Sequence, residues 1–508
     1  MQRVTTLLTN VSPNHHRKAG VLLHISSLPS LNYTGDLGAE AYRFVDFLHE
    51  VGATVWQTLP INMPHADNSP YQCLSAHAGN PDFISLEALQ AQGLLTKEDL
   101  SGLISSKTPL LHKAYLVFLE NSDSKSYQDF MNFCDKQVEW LHEFALFLAL
   151  RTKFNDAGWN QWPEKYKKRH IPTLKKAREE LAREIAVIKF TQYVFFTQWM
   201  ALKQYANQKN IEMFGDIPIF VAYDSADVWA QPKMFKLDSN QNMTVVAGVP
   251  PDYFSATGQR WGNPHYNWNC MAADGFRWWI SRMTTQSELF DIVRIDHFRG
   301  LEAAWEIPAT EETAMNGQWA PAPGDALLAA IKQALPNLRL VAEDLGIITP
   351  EVEALRVKYN LPGMKILQFA FSGEQDNPYL PHNIDANSVV YTGTHDNDTT
   401  IGWHSSMDEN QRGHLYKHLE YQHLDAEDAE HAEVLKKLIE MALQSEADLA
   451  IIPMQDILEL DGSHRMNTPG TSSGNWHWRF NWQQLTQAHN VFFSSLIKAT
   501  NRAALAKT

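Results

Sequence analysis

The chain has 508 residues, 44% of them hydrophobic, enough to bury the core of one large elaborated domain or of two to three smaller ones. Its 43 Lys and Arg stand against 58 Asp and Glu, and the formal net charge of −15 repels phosphate backbones and argues against nucleic acid as a partner. No stretch nears the roughly 18 apolar residues of a membrane span. Residues 1–10 lack an apolar core long enough for a secretory signal. Cys73, Cys134 and Cys270 are far apart and form no C-x-x-C pair, which reads as reduced thiols in a cytoplasmic setting.

Eight strand-like segments follow in chain order: 20–26, 54–59, 212–216, 292–296, 339–343, 365–371, 388–392 and 449–454. Helical periodicity lies between many of them, as at 38–51 before the second and 351–359 before the sixth. This alternation predicts an α/β fold, a (β/α)8 TIM barrel whose active site lies at the C-terminal strand ends. The spacing is uneven. Residues 61–210 read as an inserted, mainly helical subdomain, with long helices around 137–157 and 173–208. Residues 223–290, rich in Pro, Gly, Asn and aromatics, read as a second insertion, and 302–324 as a short third. Barrels grow by lengthening βα loops, so 1–508 is expected to be a single elaborated barrel with long subdomain insertions.

Three segments carry the chemistry: Ile-Val-Arg-Ile-Asp-His-Phe-Arg-Gly (292–300), Leu-Val-Ala-Glu-Asp-Leu-Gly (340–346) and Tyr-Thr-Gly-Thr-His-Asp-Asn-Asp (391–398). Each is an apolar run that stops at a carboxylate. Asp296, Glu343 and Asp396 are therefore expected around one opening, a layout for acid–base and nucleophilic work on a neutral, hydroxyl-rich substrate. Arg294 shares a strand face with Asp296 and would keep its carboxylate ionised; a structural ion pair is the plain alternative. Glu343 and Asp344 face opposite ways on a strand, and periodicity does not say which enters the barrel. His395-Asp396-Asn397-Asp398 invites a metal reading, but no H-x-H or H-E-x-x-H accompanies it, so no metal is expected. Pro and Gly in 247–268 are expected to forbid regular structure. The rings there, Tyr253, Phe254 and Trp261, either pack beneath the loop or contact a ligand as a sugar-binding lid.

Further motifs run in one order from Gly20 to about Phe480: Leu-Leu-His-x-x-Ser-Leu-Pro-Ser (22–30), Gly-Asp-Leu-Gly (35–38), Trp-Gln-x-Leu-Pro (56–60) and Ser-Pro-Tyr-Gln (69–72). Gly-Asp-Ile-Pro-Ile (215–219), Asp-Ser-Ala-Asp-Val-Trp (224–229), Arg-Met-Asn-Thr-Pro-Gly-Thr (465–471) and Gly-Asn-Trp (474–476) complete the set. With the acid blocks and 247–268, they make the chain resemble the 4-α-glucanotransferases called amylomaltases or disproportionating enzymes, glycoside hydrolase family 77. Ile25 stands where relatives often have Pro, His77 where they often have Phe, and 62–68 departs from the usual Gly/Pro-rich pattern and lacks its aromatic.

The resemblance implies a retaining double displacement on α-1,4-glucans, with no cofactor and no C-terminal β-domain. Block by block, Asp296 matches the nucleophile, Glu343 the general acid/base and Asp396 the carboxylate that stabilises the transition state. Tyr71, Asp216, Arg294, His297 and His395 match residues around the scissile sugar. Tyr253, Phe254 and Trp261 match the loop lining the donor and acceptor cleft, and Asn467 and Pro469 the loop after the last strand. The implied partners are malto-oligosaccharides and α-1,4-glucans, with glucose as acceptor, acted on by a cytoplasmic monomer or homodimer. The alternatives are an α-glucan hydrolase, a catalytically silent glucan-binding protein and a metal-dependent barrel hydrolase.

Overall fold

The structure, a computed structural model, describes residues 17–30, 32–102, 104–121, 123–251, 255–419, 427–471 and 473–503. Twelve strands occur there: β1 Lys18–Leu22, β2 Val55–Gln57, β3 Glu212–Pro218, β4 Val245–Val249, β5 Gln259–Pro264, β6 Ile292–Asp296, β7 Ala303–Pro308, β8 Gln318–Pro321, β9 Arg339–Ala342, β10 Gly363–Ile366, β11 Ser388–Tyr391 and β12 Leu449–Pro453. Eight of them form one parallel sheet in the order β10-β11-β12-β1-β2-β3-β6-β9. Its two ends meet where the Ala342 N–H donates to the Pro362 carbonyl at 2.9 Å and the Met364 N–H to Asp344 Oδ1 at 2.7 Å. The sheet is thus a near-closed (β/α)8 barrel.

Both faces of each barrel strand are covered, which is why these segments read as apolar runs. Leu22, Val55, Phe214, Ile292, Val389 and Ile451 fill the interior, with strand neighbours alternating outward beneath the helices. Gly20 lies where a Cβ would sit 2.5 Å from Ile451 Cδ1 and 2.7 Å from the Val55 carbonyl, so only glycine lets β1 stand this close to its neighbours. The run read as a strand over 365–371 ends at Ile366; Leu367–Phe369 closes into a 3-10 turn instead. An apolar run alone does not tell a strand from a buried turn.

Among the described residues between β2 and β3 lie five helices of ten or more residues, Thr108–Asn121, Ser124–Lys136, Val138–Lys153, Ile171–Glu180 and Ala182–Gln208. The longest grips the chain entering this region. Its Gln192 bonds both the N–H and the carbonyl of Gly79 (2.8 and 2.9 Å), and Gln198 does the same to Ser85 (2.7 and 3.0 Å). After β12 the described residues form short turns and the helix Gln487–Ala499. No helix among the described residues is long and apolar enough to cross a membrane.

Segment 247–268 corrects the expectation of irregular structure. β4 and β5 pair antiparallel, and with β7 and β8 they build a four-stranded sheet in the order β5-β4-β7-β8. Here glycine permits pairing rather than breaking it. The pairing shifts between Val246 and Gly248, and a Cβ on Gly248 would lie 2.1 Å from the Gln259 carbonyl oxygen. Strands from 245–264 and from 303–321 therefore share one sheet, beside the C-terminal end of β6.

Candidate active site

Along β6 the period of two turns Ile292, Arg294 and Asp296 into the barrel, so the apolar interior gives way to charge at the C-terminal rim. Arg294 is 4% exposed. Its guanidinium bonds Asp296 Oδ1 at 2.7 Å and also pairs with Asp216, its register partner on β3. The Tyr71 hydroxyl donates to the same Asp216 at 2.7 Å. One buried cation thus holds two carboxylates from neighbouring strands.

Glu343 follows β9 directly. The β6–β9 register pairs Ile295 with Ala342, so Asp296 and Glu343 are next in step across a gap of about 4.8 Å between strands. Both Glu343 oxygens are held by main chain: Oε2 accepts the His297 N–H at 2.6 Å and Oε1 the Leu345 N–H at 3.0 Å. His297 has φ 57° and ψ 48°, a left-handed conformation unusual for a non-glycine residue, and this turn aims its N–H back at Glu343. Asp344 points the other way. It accepts the Met364 N–H at 2.7 Å and faces Arg356 at 3.3 Å, so it ties β9 to β10 rather than entering the site.

Burial pushes both the Asp296 and the Glu343 carboxyl up. At Asp296 the Arg294 guanidinium opposes the rise, while the charges of Glu343, Asp216 and Asp396 add to it. Arg294 and the N–H groups of His297 and Leu345 oppose it at Glu343. Arg294 therefore moderates the Asp296 carboxyl without cancelling the effect of its surroundings, a correction to the simple ion-pair expectation. Adjacent acids that raise each other's affinity for a proton titrate as a pair.

Asp396 also departs from expectation. β11 ends at Tyr391, so Asp396 sits on the following loop, not at a strand end, and its side chain is 48% exposed. His395 Nε2 is 3.4 Å from it and Asn467 Nδ2 donates to it at 2.7 Å. The Tyr71 and His395 rings stack at 5.2 Å with 13° between planes. Pro469 lies exposed at a turn two residues beyond Asn467. Trp261, on β5, meets the His297 ring edge-on at 4.8 Å and 86°. Burial lowers the His297 imidazole to about 3, so it is neutral. Tyr253 and Phe254 lie outside the described residues. Among the described residues no group of three or more His, Cys, Asp or Glu could hold a metal ion.

Two residues join this constellation that the sequence reading did not single out. Arg465 donates to the Asp396 carbonyl at 2.8 Å and to that of Asn467 at 2.8 Å, fixing one loop on the other. Trp476 packs 6.0 Å from both the Tyr71 and the His395 ring. Both sit inside the motifs 465–471 and 474–476, but Asp396, Tyr71 and His395 are over 60 residues away in the chain, beyond what spacing can reveal.

A family model described as 4-alpha-glucanotransferase matches residues 23–486. The 4-alpha-glucanotransferase of Synechocystis sp. is 47% identical over 94% of this chain and 97% of its own length, and that of Thermus thermophilus 45% identical over 96% and 99%. Among solved structures, the amylomaltase of Streptococcus agalactiae in complex with acarbose superposes with a TM-score of 0.91 at 35% identity, covering 96% of this chain and all of that one. The amylomaltase of Corynebacterium glutamicum, at 18% identity, shares the fold with a TM-score of 0.74 over 96% of this chain and 75% of its own. These matches show that the chain belongs to the 4-α-glucanotransferase family and is an enzyme of that activity.

Proposed function

We propose that transfer proceeds by a retaining double displacement on α-1,4-glucans, with Asp296 as nucleophile and Glu343 as general acid/base. One observation carries this reading: two carboxyls on paired strand ends with unequal partners. Asp296 has a guanidinium at 2.7 Å, whereas Glu343 has only main-chain N–H groups. In this reading the proton that such a coupled pair retains is carried by Glu343, the carboxyl with no guanidinium in hydrogen-bond contact. Glu343 protonates the departing 4-oxygen as Asp296 attacks the anomeric carbon. A β-linked glucosyl-enzyme forms. Glu343, now a base, takes the proton of an incoming glucan's 4-hydroxyl, and the second inversion restores the α configuration.

Asp396 binds sugar hydroxyls and stabilises the oxocarbenium-like transition state, a role its half-open position beside His395 and Asn467 supports. Tyr71, Asp216, Arg294, His297 and His395 surround the scissile sugar. Trp261 on the inserted sheet lines the donor and acceptor cleft, and Asn467 and Pro469 lie on the loop after β12. A cavity of about 310 Å³ beside Trp476, walled by Tyr33, Asn62, Asp82 and Arg479 among others, offers ring faces and hydroxyl partners for further sugars. The streptococcal relative's complex with acarbose supports a saccharide ligand. Malto-oligosaccharides are the donors, glucose is an acceptor, and no cofactor takes part. Insertions 61–210, 223–290 and 302–324 on a single barrel frame the cleft. Three cysteines free of disulfides support a cytoplasmic location, where the chain acts as a monomer or homodimer in this reading.

Glu343→Gln, given α-glucosyl fluoride, tests the assignment, since fluoride departs without a proton. The expected result is a glucosyl adduct on Asp296, found by mass spectrometry of a peptide digest. An adduct on another residue, or a product of inverted configuration, would overturn it.

A further inference from the structure

The three residues after Asp296 all engage the chain around Glu343. The His297 N–H donates to Glu343 Oε2 at 2.6 Å, the Phe298 N–H to the Glu343 carbonyl at 3.1 Å, and Arg299 NH1 to the Ile347 carbonyl at 2.6 Å. Arg299 is 6% exposed, yet the carbonyl it holds belongs to an open turn in which Ile347 is 59% exposed and Gly346 adopts φ +83°. Its buried Nε has no hydrogen-bond partner. On its other side the guanidinium lies 3.8 Å over the Trp319 ring of β8, and Trp319 meets Trp305 of β7 edge-on at 5.2 Å. The inserted sheet thus touches this segment twice, Trp261 against His297 and Trp319 against Arg299.

We infer that Arg299, stacked on the inserted sheet, is a positioning residue for Glu343: by holding the Ile347 carbonyl it fixes the turn whose Leu345 N–H binds Glu343 Oε1. This rests on the assignment of Glu343 as acid/base. Leu345 is also packed against the barrel interior, but the turn beyond it passes through Gly346, the backbone position most free to move. Without the guanidinium, the turn from 345 to 347 loses the one side-chain bond that reaches it from the neighbouring strand's loop. The Leu345 N–H then drifts from Glu343. Losing a hydrogen bond to the charged form raises the Glu343 pKa and loosens its aim at the glycosidic oxygen.

Arg299→Met and Arg299→Lys test this, with maltotriose and α-glucosyl fluoride as paired donors. In Arg299→Met, maltotriose turnover is expected to fall roughly ten- to hundredfold, a part of what a placed general acid contributes. Formation of the glucosyl-enzyme from the fluoride, read as the first-turnover burst of released fluoride, stays within about threefold, since that step needs no proton. The alkaline limb of kcat/KM for maltotriose moves to higher pH. Lys, which can still donate to the Ile347 carbonyl, restores part of the maltotriose rate. Equal losses with both donors, or an unmoved alkaline limb, would show that Arg299 only holds the fold together and overturn the inference. Glu343→Gln separates this from the underlying assignment. If it loses maltotriose selectively while Arg299→Met does not, the positioning role alone fails. If Glu343→Gln loses the first-turnover fluoride burst as fully as it loses maltotriose, the acid/base assignment fails and the positioning role with it.

Discussion

The strand-end half of the site and its loop-borne half are built differently. Asp216, Arg294, Asp296 and Glu343 sit at or directly after paired strand ends, locked by register and by each other; the Asp216 side chain is 0% exposed. Asp396, Asn467 and Trp261 come from loops and a hairpin, are more open, and touch the first group mainly through His297 and the Tyr71–His395 stack. The barrel thus fixes the atoms that make and break bonds to within its hydrogen-bond geometry, while the peripheral segments that meet further sugars keep room to adapt. Damage to the first half should abolish chemistry and, where charge is stranded, weaken the fold. Damage to the second should redirect substrate with little cost to stability.

The sharpest test of that contrast is Asp296→Asn. Shape and glucan binding persist, but turnover should fall by roughly four to six orders of magnitude, as for lost nucleophiles elsewhere. Isothermal titration with maltotriose alongside rate measurement checks both parts, and more than a few per cent residual activity would remove Asp296 from the nucleophile's role. Arg294→Met comes next. It leaves Asp216 and Asp296 without their cation, and breaking such a buried pair costs about 3–5 kcal/mol. A denaturant midpoint that does not move would mean that the rim's ion pairs serve catalysis without supporting the fold.

A smaller effect is expected on the loop side. Trp261→Ala removes a ring that is partly open at the hairpin, so acceptor KM should rise about fivefold, near 1 kcal/mol, with the melting temperature little changed. Hydrolysis should gain on transfer, because water needs no aromatic platform. A lowered melting temperature with an unchanged hydrolysis-to-transfer ratio would show that Trp261 packs the hairpin and does not hold an acceptor.

An effect absent at neutral pH, and felt only in acid, lies in neither half. His77 is buried against Trp140, bonds Thr285 at 2.8 Å, and is lowered to about 3 by burial and then by Arg282. Neutral when folded, it takes up a proton on unfolding once the pH falls below its ordinary 6.5. Its contribution to stability is therefore intact above about pH 6.5 and lost as pH falls from there toward 3, by up to about 1.4 kcal/mol per pH unit. His77→Phe should keep its melting temperature better between pH 6.5 and 4 while changing little at pH 8. Parallel melting curves for the two proteins across that range would show that acid sensitivity resides elsewhere.

Local pattern determines much of this protein by itself. Apolar runs ending in Asp296 or next to Glu343 mark barrel strands because a strand buried on both faces must be apolar until it leaves the sheet; seven of the eight barrel strands are legible in the sequence, and the sixth only at Lys365 and Ile366. The spacing of Arg294 and Asp296 places both inside, since strand side chains alternate. Tertiary structure alone decides what pattern cannot reach. Whether Glu343 or Asp344 enters the barrel depends on Met364 and Arg356 capturing Asp344 from outside. The pairing of 245–264 with 303–321 depends on a backbone approach at Gly248 that a turn-forming composition conceals. Arg465 and Trp476 acquire partners only when the last loop folds over Asp396 and Tyr71. Arg299 reaches the turn beyond Glu343 only because β6 and β9 are neighbours in the closed barrel. These contacts join residues distant in the chain, and their free energy comes from groups that meet only after the barrel has formed.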